Sequence, residues 1–361
     1  MSGRPVPRFP RTVQIQTITG CNADCFFCPY GSTQAHQPRG RMPAKLFRAL
    51  IDECARYPVR RISPYLMNEP FLDPQLPERL RYIRRRLPRA KLVLTTNASM
   101  LRPESVDQLL TRPALVDALY ISFPGIDAHG YELAMRGGVR FETTRRNVDY
   151  LIDRVRKLRT PRPQIWITMV KTSRVDWRKA LDYWRSRGVR CKATQMDNRG
   201  GNLDEESLFP AGRFEPNTTC TRLFKQAYIL VNGDMVLCCA DYRREVILGN
   251  CADRSIFEIW NGEKAVRIRR AYSAGRFGEL DLCKDCRVDR VRWRTAKLGA
   301  PAISGKMSAA GNGDVARESA PIEPMPAQQE QHAPQQGDYP EQEKETADYR
   351  SIRFPARNSG R

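Results

Sequence analysis

The stretch VQIQTITGCNADCFFCP, Val13 to Pro29, decides how the rest of the chain is read. Its first four residues alternate apolar and polar, the period of a half-buried strand. The strand then runs directly into Cys21, Cys25 and Cys28 on one loop. In a fold of parallel strands the C-terminal strand ends carry the chemistry, so this loop marks the candidate site.

Further along, strand-like runs alternate with helical ones. Strands are expected at 61–66, 92–95, 118–122, 165–170 and 189–194, and helices at 44–57, 77–86, 103–110, 143–158 and 177–187. Six strands that each feed a helix or loop imply a parallel sheet joined by right-handed crossovers. The expected fold class is α/β, a partial (β/α)6 TIM-like barrel over residues 1–202.

The pattern changes after Asn198. Residues 204–219 read as an irregular connector, and residues 227–238 as a β-hairpin turning at Asn232-Gly233. One helix is expected over 255–272, started by Ser255 and Glu258 in capping-box spacing. A small domain over 203–298 follows from this. From residue 299 onward Pro, Gln, Glu, Gly and Ser dominate, so residues 299–361 are expected to form a disordered tail.

Composition narrows the function classes. No run of about 18 apolar residues occurs, and the start lacks a signal-peptide core, so neither membrane insertion nor export is indicated and a cytoplasmic location is expected. In a reducing compartment eleven cysteines speak for metal binding or catalysis over disulfides. With only three histidines, a thiolate-held iron–sulfur or zinc site is the natural reading. The formal charge is +21, although the sixty residues from Ala302 hold 7 Lys/Arg against 9 Asp/Glu, so the excess lies in the folded part. This basic balance slightly favours an anionic partner; the plainer reading is solvated, arginine-rich helix faces.

Three close cysteines can hold three irons of a cubane and leave the fourth open. In Cys21, Cys25, Phe27 and Cys28 the chain resembles the radical S-adenosylmethionine (SAM) superfamily, whose signature is CxxxCxΦC, and the resemblance runs from Val13 to about Asn202. It implies a [4Fe-4S] cluster on Cys21, Cys25 and Cys28. SAM would chelate the open iron, and its reductive cleavage would give a 5′-deoxyadenosyl radical that abstracts substrate hydrogen. Met67-Asn68-Glu69-Pro70 resembles the family's GGEP element, with Met-Asn in place of Gly-Gly, which makes Asn68 and Glu69 candidate SAM contacts. Thr95-Thr96-Asn97 resembles the TNG segment, and Ser122 ends the fourth strand where a ribose contact is often found. Thr96, Asn97 and Ser122 are therefore cofactor-binding candidates, or else ordinary strand-end residues.

Cys220, Gly233-x4-Cys238 and Cys283-x2-Cys286 resemble the SPASM/twitch extension of the same superfamily. The resemblance implies one auxiliary [4Fe-4S] cluster on Cys220, Cys238, Cys283 and Cys286; four cysteines also suit structural zinc. Because neighbouring strand residues face opposite sides, Cys239 is expected to point away from that cluster. Cys239 and Cys251 are candidate hydrogen-atom donors, the alternative for each being a buried structural thiol, and Cys54 and Cys191 are expected in the core.

The resemblance is greatest to inosamine-dehydrogenase-type enzymes. It implies dehydrogenation or epimerisation of a small polar metabolite such as a sugar, aminocyclitol or nucleoside, with an electron donor such as flavodoxin or ferredoxin. Arg136 and Asn198-Arg199 are candidate substrate contacts near the barrel mouth. Modification of a ribosomal peptide is the alternative, disfavoured by the short segment before the first strand. A zinc-stabilised nucleic-acid-binding module is the non-enzymatic alternative, although no nucleic-acid partner is expected of the barrel.

Overall fold

The computed structural model describes residues 6–111, 114–158, 162–203 and 214–289. Eleven strands occur among them: β1 Thr12–Ile15, β2 Arg61–Ser63, β3 Lys91–Thr96, β4 Ala118–Ser122, β5 Gln164–Val170, β6 Cys191–Thr194, β7 Phe214–Pro216, β8 Gln226–Ile229, β9 Asp234–Val236, β10 Ile247–Asn250 and β11 Arg287–Asp289. The helices are α1 Tyr30–Thr33, α2 Ala44–Cys54, α3 Leu76–Arg86, α4 Pro103–Leu109, α5 Ala128–Met135, α6 Phe141–Leu158, α7 Trp177–Ser186, α8 Ile256–Asn261, α9 Glu263–Ser273 and α10 Asp281–Lys284. The six expected barrel strands are all present. Three helices, α1, α5 and α10, lie where no helix is expected from sequence.

Nine strands form one sheet in the order β10-β9-β8-β1-β2-β3-β4-β5-β6. From β1 to β6 every pairing is parallel, as crossover helices require. The C-terminal region does not stand apart. Its strand β8 pairs parallel with β1, Gln14 opposite Tyr228, and β9 and β10 continue the sheet as antiparallel strands. The hairpin turns at Asn232-Gly233 as the sequence indicates; Gly233 has φ +92, and a Cβ there would stand 2.7 Å from the Asn250 side chain.

Strand periodicity separates two faces. Val13, Ile15, Ile62, Leu92, Leu94, Leu119, Ile121 and Ile167 are buried against the helices in the main core. Helix α2 meets them with Phe47, Leu50, Ile51 and Cys54, the spacing of a single helical stripe. The opposite, inner face is mixed: Gln14, Ser63, Thr95, Ser122, Thr168 and Lys192 share it with Val93, Tyr120 and Trp166.

The single helix expected over 255–272 is two helices. The Ser255–Glu258 capping box forms as read, but the chain turns extended at Gly262, ψ 157, which ends α8 and serves as N-cap of α9. Glycine in mid-helix is unfavourable enough to make it the natural break. The tail expected over 299–361, and residues 204–213 of the connector, lie outside the described residues. Among the described residues no helix is long and apolar enough to cross a membrane.

Candidate active site

The cysteine loop is held in place by a partner that carries no obvious signature. Asp24 N–H donates to the Met135 carbonyl at 3.1 Å, Phe26 N–H to Ala134 at 3.2 Å, and Gly138 N–H to Asn22 at 2.8 Å. Residues 134–138 thus lie backbone to backbone against the loop. Gly137 makes this approach possible: its φ is +66, and a Cβ would sit 2.9 Å from the Asn22 carbonyl. Arg136 closes the same clasp, its Nε donating to the Asp24 carbonyl at 2.7 Å and its guanidinium 3.5 Å from the Asp24 carboxylate. It borders the cavity but is committed to the loop.

Cys21 and Cys28 line a cavity of about 470 Å3 shared with Tyr30, Phe26 and Arg136. Burial pushes the Cys21 thiol up to about 12, with Glu69 and Cys28 adding to it after partial relief from the Ala23 backbone. Cys25 is raised as well, by burial and then by Cys28 and Cys21. The Cys21 and Cys25 thiols, whose ionisation burial and the neighbouring cysteines oppose, suit a set of cations that would neutralise them. The residues present therefore fit an iron–sulfur cluster. Cys25 and Cys28 have sulfur contacts at 3.7 Å, to Met135 Sδ and the Tyr242 hydroxyl.

Glu69 is buried and stationed beneath the loop. Its N–H donates to the Gly20 carbonyl at 2.9 Å. Its carboxylate accepts from Thr96 Oγ1 at 2.6 Å, Asn97 N–H at 2.8 Å and Phe71 N–H at 3.1 Å. Burial nevertheless outweighs these donors and carries its pKa up to about 7. The Asn97 amide donates to Asn22 Oδ1, joining the end of β3 to the cysteine loop. Glu69, Thr96 and Asn97, three residues singled out from sequence, are brought together. Asn68 turns inward: its Oδ1 accepts from Leu66 N–H at 3.0 Å and its Nδ2 is buried without a hydrogen-bond partner among the described residues. Ser122 lies on the inner face opposite Thr168.

The second cysteine set also assembles. Cys220, Cys238, Cys239 and Cys283 adjoin one small apolar cluster. Cys286 N–H donates to the Cys283 carbonyl at 3.2 Å, which folds the pair into a turn. Burial raises Cys283 up to about 12, followed by the charges of Cys286 and Cys220, so both lie close to it. Cys239 is a correction. The opposite-sides rule does not apply because β9 ends at Val236 and the two cysteines lie in the bend beyond it. Their thiols hydrogen-bond, and that bond, with Arg222 and Arg199, holds Cys239 down to about 6.

Cys251 is a second correction. It is buried in the main core, where burial, Glu53 and Cys54 of α2 raise its pKa. It lies on the helix side of the sheet, remote from the cavity. Asn198 is a third: its amide donates to the Asp285 carbonyl and its Oδ1 accepts from Arg287 N–H, so it clamps the Cys283–Cys286 segment. Arg199 is half-buried beside Asp197 at 3.3 Å. Burial opposes its charge, but Asp197, Tyr242, Cys28 and Cys239 together hold its pKa above the usual range. It therefore stands between the two cysteine sets. Tyr242, four residues beyond Cys238 and touching Cys28, is the contact that sequence reading missed.

Comparison with known proteins agrees with this geometry. Residues 15–171 match the model of the Radical SAM superfamily, and residues 220–287 match SPASM, an iron–sulfur cluster-binding domain. Over 275 residues, 76% of this chain and 91% of the relative, the sequence is 22% identical to the S-adenosyl-L-methionine-dependent 2-deoxy-scyllo-inosamine dehydrogenase of Niallia circulans. It is 30% identical over 144 residues, 39% of each chain, to the AdoMet-dependent heme synthase of Methanosarcina barkeri (strain Fusaro / DSM 804). Among solved structures, BtrN in complex with AdoMet and 2-DOIA superimposes with TM-score 0.57 at 20% identity, covering 79% of this chain and 94% of that one. Streptococcus suis SuiB bound to precursor peptide SuiA gives 0.58 at 15% identity, covering 73% and 67%. These likenesses establish the fold. The cofactors that go with the two matched families are a SAM-binding [4Fe-4S] cluster, SAM, and an auxiliary iron–sulfur cluster, in place of the zinc alternative. Taken with the two cysteine sets, the paired matches make the chain a member of the radical SAM superfamily with a C-terminal SPASM domain.

Proposed function

We propose that this radical SAM enzyme is an oxidoreductase that dehydrogenates a carbinol carbon of a small polar metabolite of the aminocyclitol or sugar type. The observation that carries the reading is the short loop from Cys238 to Tyr242. At one end it supplies a cysteine of the auxiliary set, and at the other Tyr242 places its hydroxyl 3.7 Å from Cys28. Oxidation of a carbinol releases a hydrogen atom, a proton and an electron, and the electron needs a sink close to where the hydrogen leaves. When bound, SAM with the first cluster supplies the hydrogen-abstracting radical, and the auxiliary cluster supplies such a sink.

In this reading Cys21, Cys25 and Cys28 hold the first cluster, and Cys220, Cys238, Cys283 and Cys286 the second. Glu69, Thr96 and Asn97 fix the end of β3 beneath the cysteine loop, where a SAM amino group would meet a carboxylate, and Ser122 faces the inner side. Asn68, with its amide turned inward, contributes through its place in the turn. The dehydrogenase relative from Niallia circulans, matched over nine-tenths of its length, supports the reaction type. A reducing partner such as flavodoxin or ferredoxin would feed the first cluster.

The test is anaerobic turnover with cyclitols and sugars deuterated at the carbinol carbon. A ketone, with deuterium in 5′-deoxyadenosine, supports dehydrogenation. Inverted carbinol without a ketone would establish epimerisation and overturn it.

A further inference from the structure

On the inner face of the sheet, beside the exposed Lys91 that pairs with Arg61 in register, two further cations stand without counterions. Arg61 opens β2 and Lys192 lies on β6, level with Thr168 of β5, which in turn pairs with Ser122. Of the inner-face positions on β1 to β6 none is Asp or Glu. Among the described residues neither cation has a carboxylate in ion-pair reach. Arg61 Nε donates to Ser63 Oγ at 3.1 Å, and its terminal nitrogen to the Tyr65 hydroxyl at 3.3 Å. Lys192 Nζ lies 4.5 Å from the centre of the Tyr120 ring and 5.8 Å from that of Trp166, a cation–π seat in place of an ion pair.

Two like charges on one wall repel. Burial and the Arg61 charge both lower the Lys192 pKa. The rest of the seat consists of donors. The Tyr65 hydroxyl accepts from Thr95 Oγ1 at 2.7 Å as well as from Arg61, which leaves its own proton to give away. A guanidinium hydrogen-bonded to a phenol, with an ammonium on the same face of the sheet, matches an oxyanion, which would accept from all three and cancel the repulsion. Other half-buried or buried cations of this chain find acids or carbonyls: Arg79 with Asp73, Arg84 with Asp117, Arg222 with Asp197, and Arg269 with the Leu223 and Trp260 carbonyls. Among the described residues Arg61 has neither, its partners being the hydroxyls of Ser63 and Tyr65.

We infer that Arg61, Lys192 and Tyr65 form an anion seat inside the barrel, and that the substrate carries a phosphate or carboxylate group which docks there. The inference rests on the barrel interior being the substrate site, as in the function proposed above. An anionic group held low on the wall leaves the remainder of the molecule directed toward the strand C-terminal ends and the cysteine loop. The seat thereby selects charged over neutral cyclitols or sugars and sets which carbon is presented.

Calorimetric titration of the reconstituted holoenzyme with inorganic phosphate and with acetate reads the seat without turnover. Saturable binding of at least one anion is expected. It should weaken roughly tenfold to a hundredfold in Arg61→Gln and in Lys192→Gln, the loss of one charged hydrogen-bonding partner. Preference for phosphate assigns a phosphorylated substrate, and preference for acetate a carboxylated one. Lys192 is solvent-exposed, so Lys192→Gln keeps the test alive should Arg61→Gln fail to fold. Absence of saturable binding, or equal affinity in wild type and Lys192→Gln, overturns the inference. Failure of the dehydrogenation assay with the anion seat intact would instead strike the proposed reaction alone.

Discussion

Replacing Thr96 with valine removes one hydroxyl at nearly constant volume and exposes how the SAM-side loops are held. Thr96 Oγ1 donates to Glu69 Oε1 at 2.6 Å and accepts from Ala98 N–H at 2.9 Å. Both groups are buried. Loss of a hydrogen bond to a charged partner is worth about 1.5–3 kcal/mol, and an orphaned buried N–H about 1–3 kcal/mol. Because the two losses share one atom they do not simply add, and a destabilisation of about 2–4 kcal/mol is expected. The pH dependence has a definite sign. Glu69 is raised from 4.5 to about 7, so its folded form holds a proton more readily than its unfolded form. Its contribution favours folding most at low pH and declines as pH rises from 4.5 through about 7. The Thr96 donor favours the ionised carboxylate, so its removal raises the folded pKa further and prolongs that decline. The deficit of Thr96→Val relative to wild type should therefore be larger at about pH 8.5 than at about pH 6, by about 1.4 kcal/mol for each further unit of pKa. Urea melts of the reconstituted protein at the two pH values measure this. A deficit below about 0.5 kcal/mol, or one equal at both pH values, would refute the assignment of Thr96 as a partner of ionised Glu69.

Three further outcomes follow from the geometry. Cys21→Ala, Cys25→Ala and Cys28→Ala together should abolish 5′-deoxyadenosine formation while iron analysis still finds about four irons per chain, the content of one [4Fe-4S] cluster. Cys283→Ala with Cys286→Ala should do the converse, retaining some SAM cleavage and losing oxidised product; continued ketone formation would remove the auxiliary site from the reaction. Glu53→Ala should cost about 1–3 kcal/mol in a urea melt and leave SAM cleavage per folded enzyme unchanged, since the Glu53 carboxylate accepts from Ile256 N–H and Phe257 N–H at 2.9 Å and caps α8 from a distance.

The sequence announces whatever depends on side-chain type at short range. Short strand-like runs mark all six barrel strands, and the Ser255–Glu258 box starts a helix where expected. Three-residue and two-residue spacings identify both cysteine sets, and Glu69, Thr96 and Asn97 converge as their places at strand ends suggest. What stayed hidden depends on long-range contact or on backbone. The grip of residues 134–138 on the cysteine loop uses carbonyls and N–H groups, which any residues could supply; only the paired glycines at 137 and 138 hint at it. Asn198 reads as a substrate contact because it follows β6, yet its amide is spent on Asp285 and Arg287, nearly ninety positions away. Cys251 follows the hairpin closely in sequence, but β10 continues the sheet and delivers its thiol to the helix side. The unpaired state of Arg61 and Lys192 emerges only once register shows which residues share the inner face.

The pairing of β8 with β1 also has a consequence for biogenesis. Gln14 and Gln226 are hydrogen-bonded across a separation of 212 positions. On the ribosome, β1 must wait through the synthesis of β2 to β6 before the strand that covers its free edge exists. An incomplete chain would carry a bare sheet edge beside its first three cysteines, a surface open to mispairing with another chain and to premature oxidation. Iron–sulfur loading is thus best timed after release of residue 229, and coexpression with cluster-assembly factors should matter more for soluble yield than any choice of truncation within the described domain.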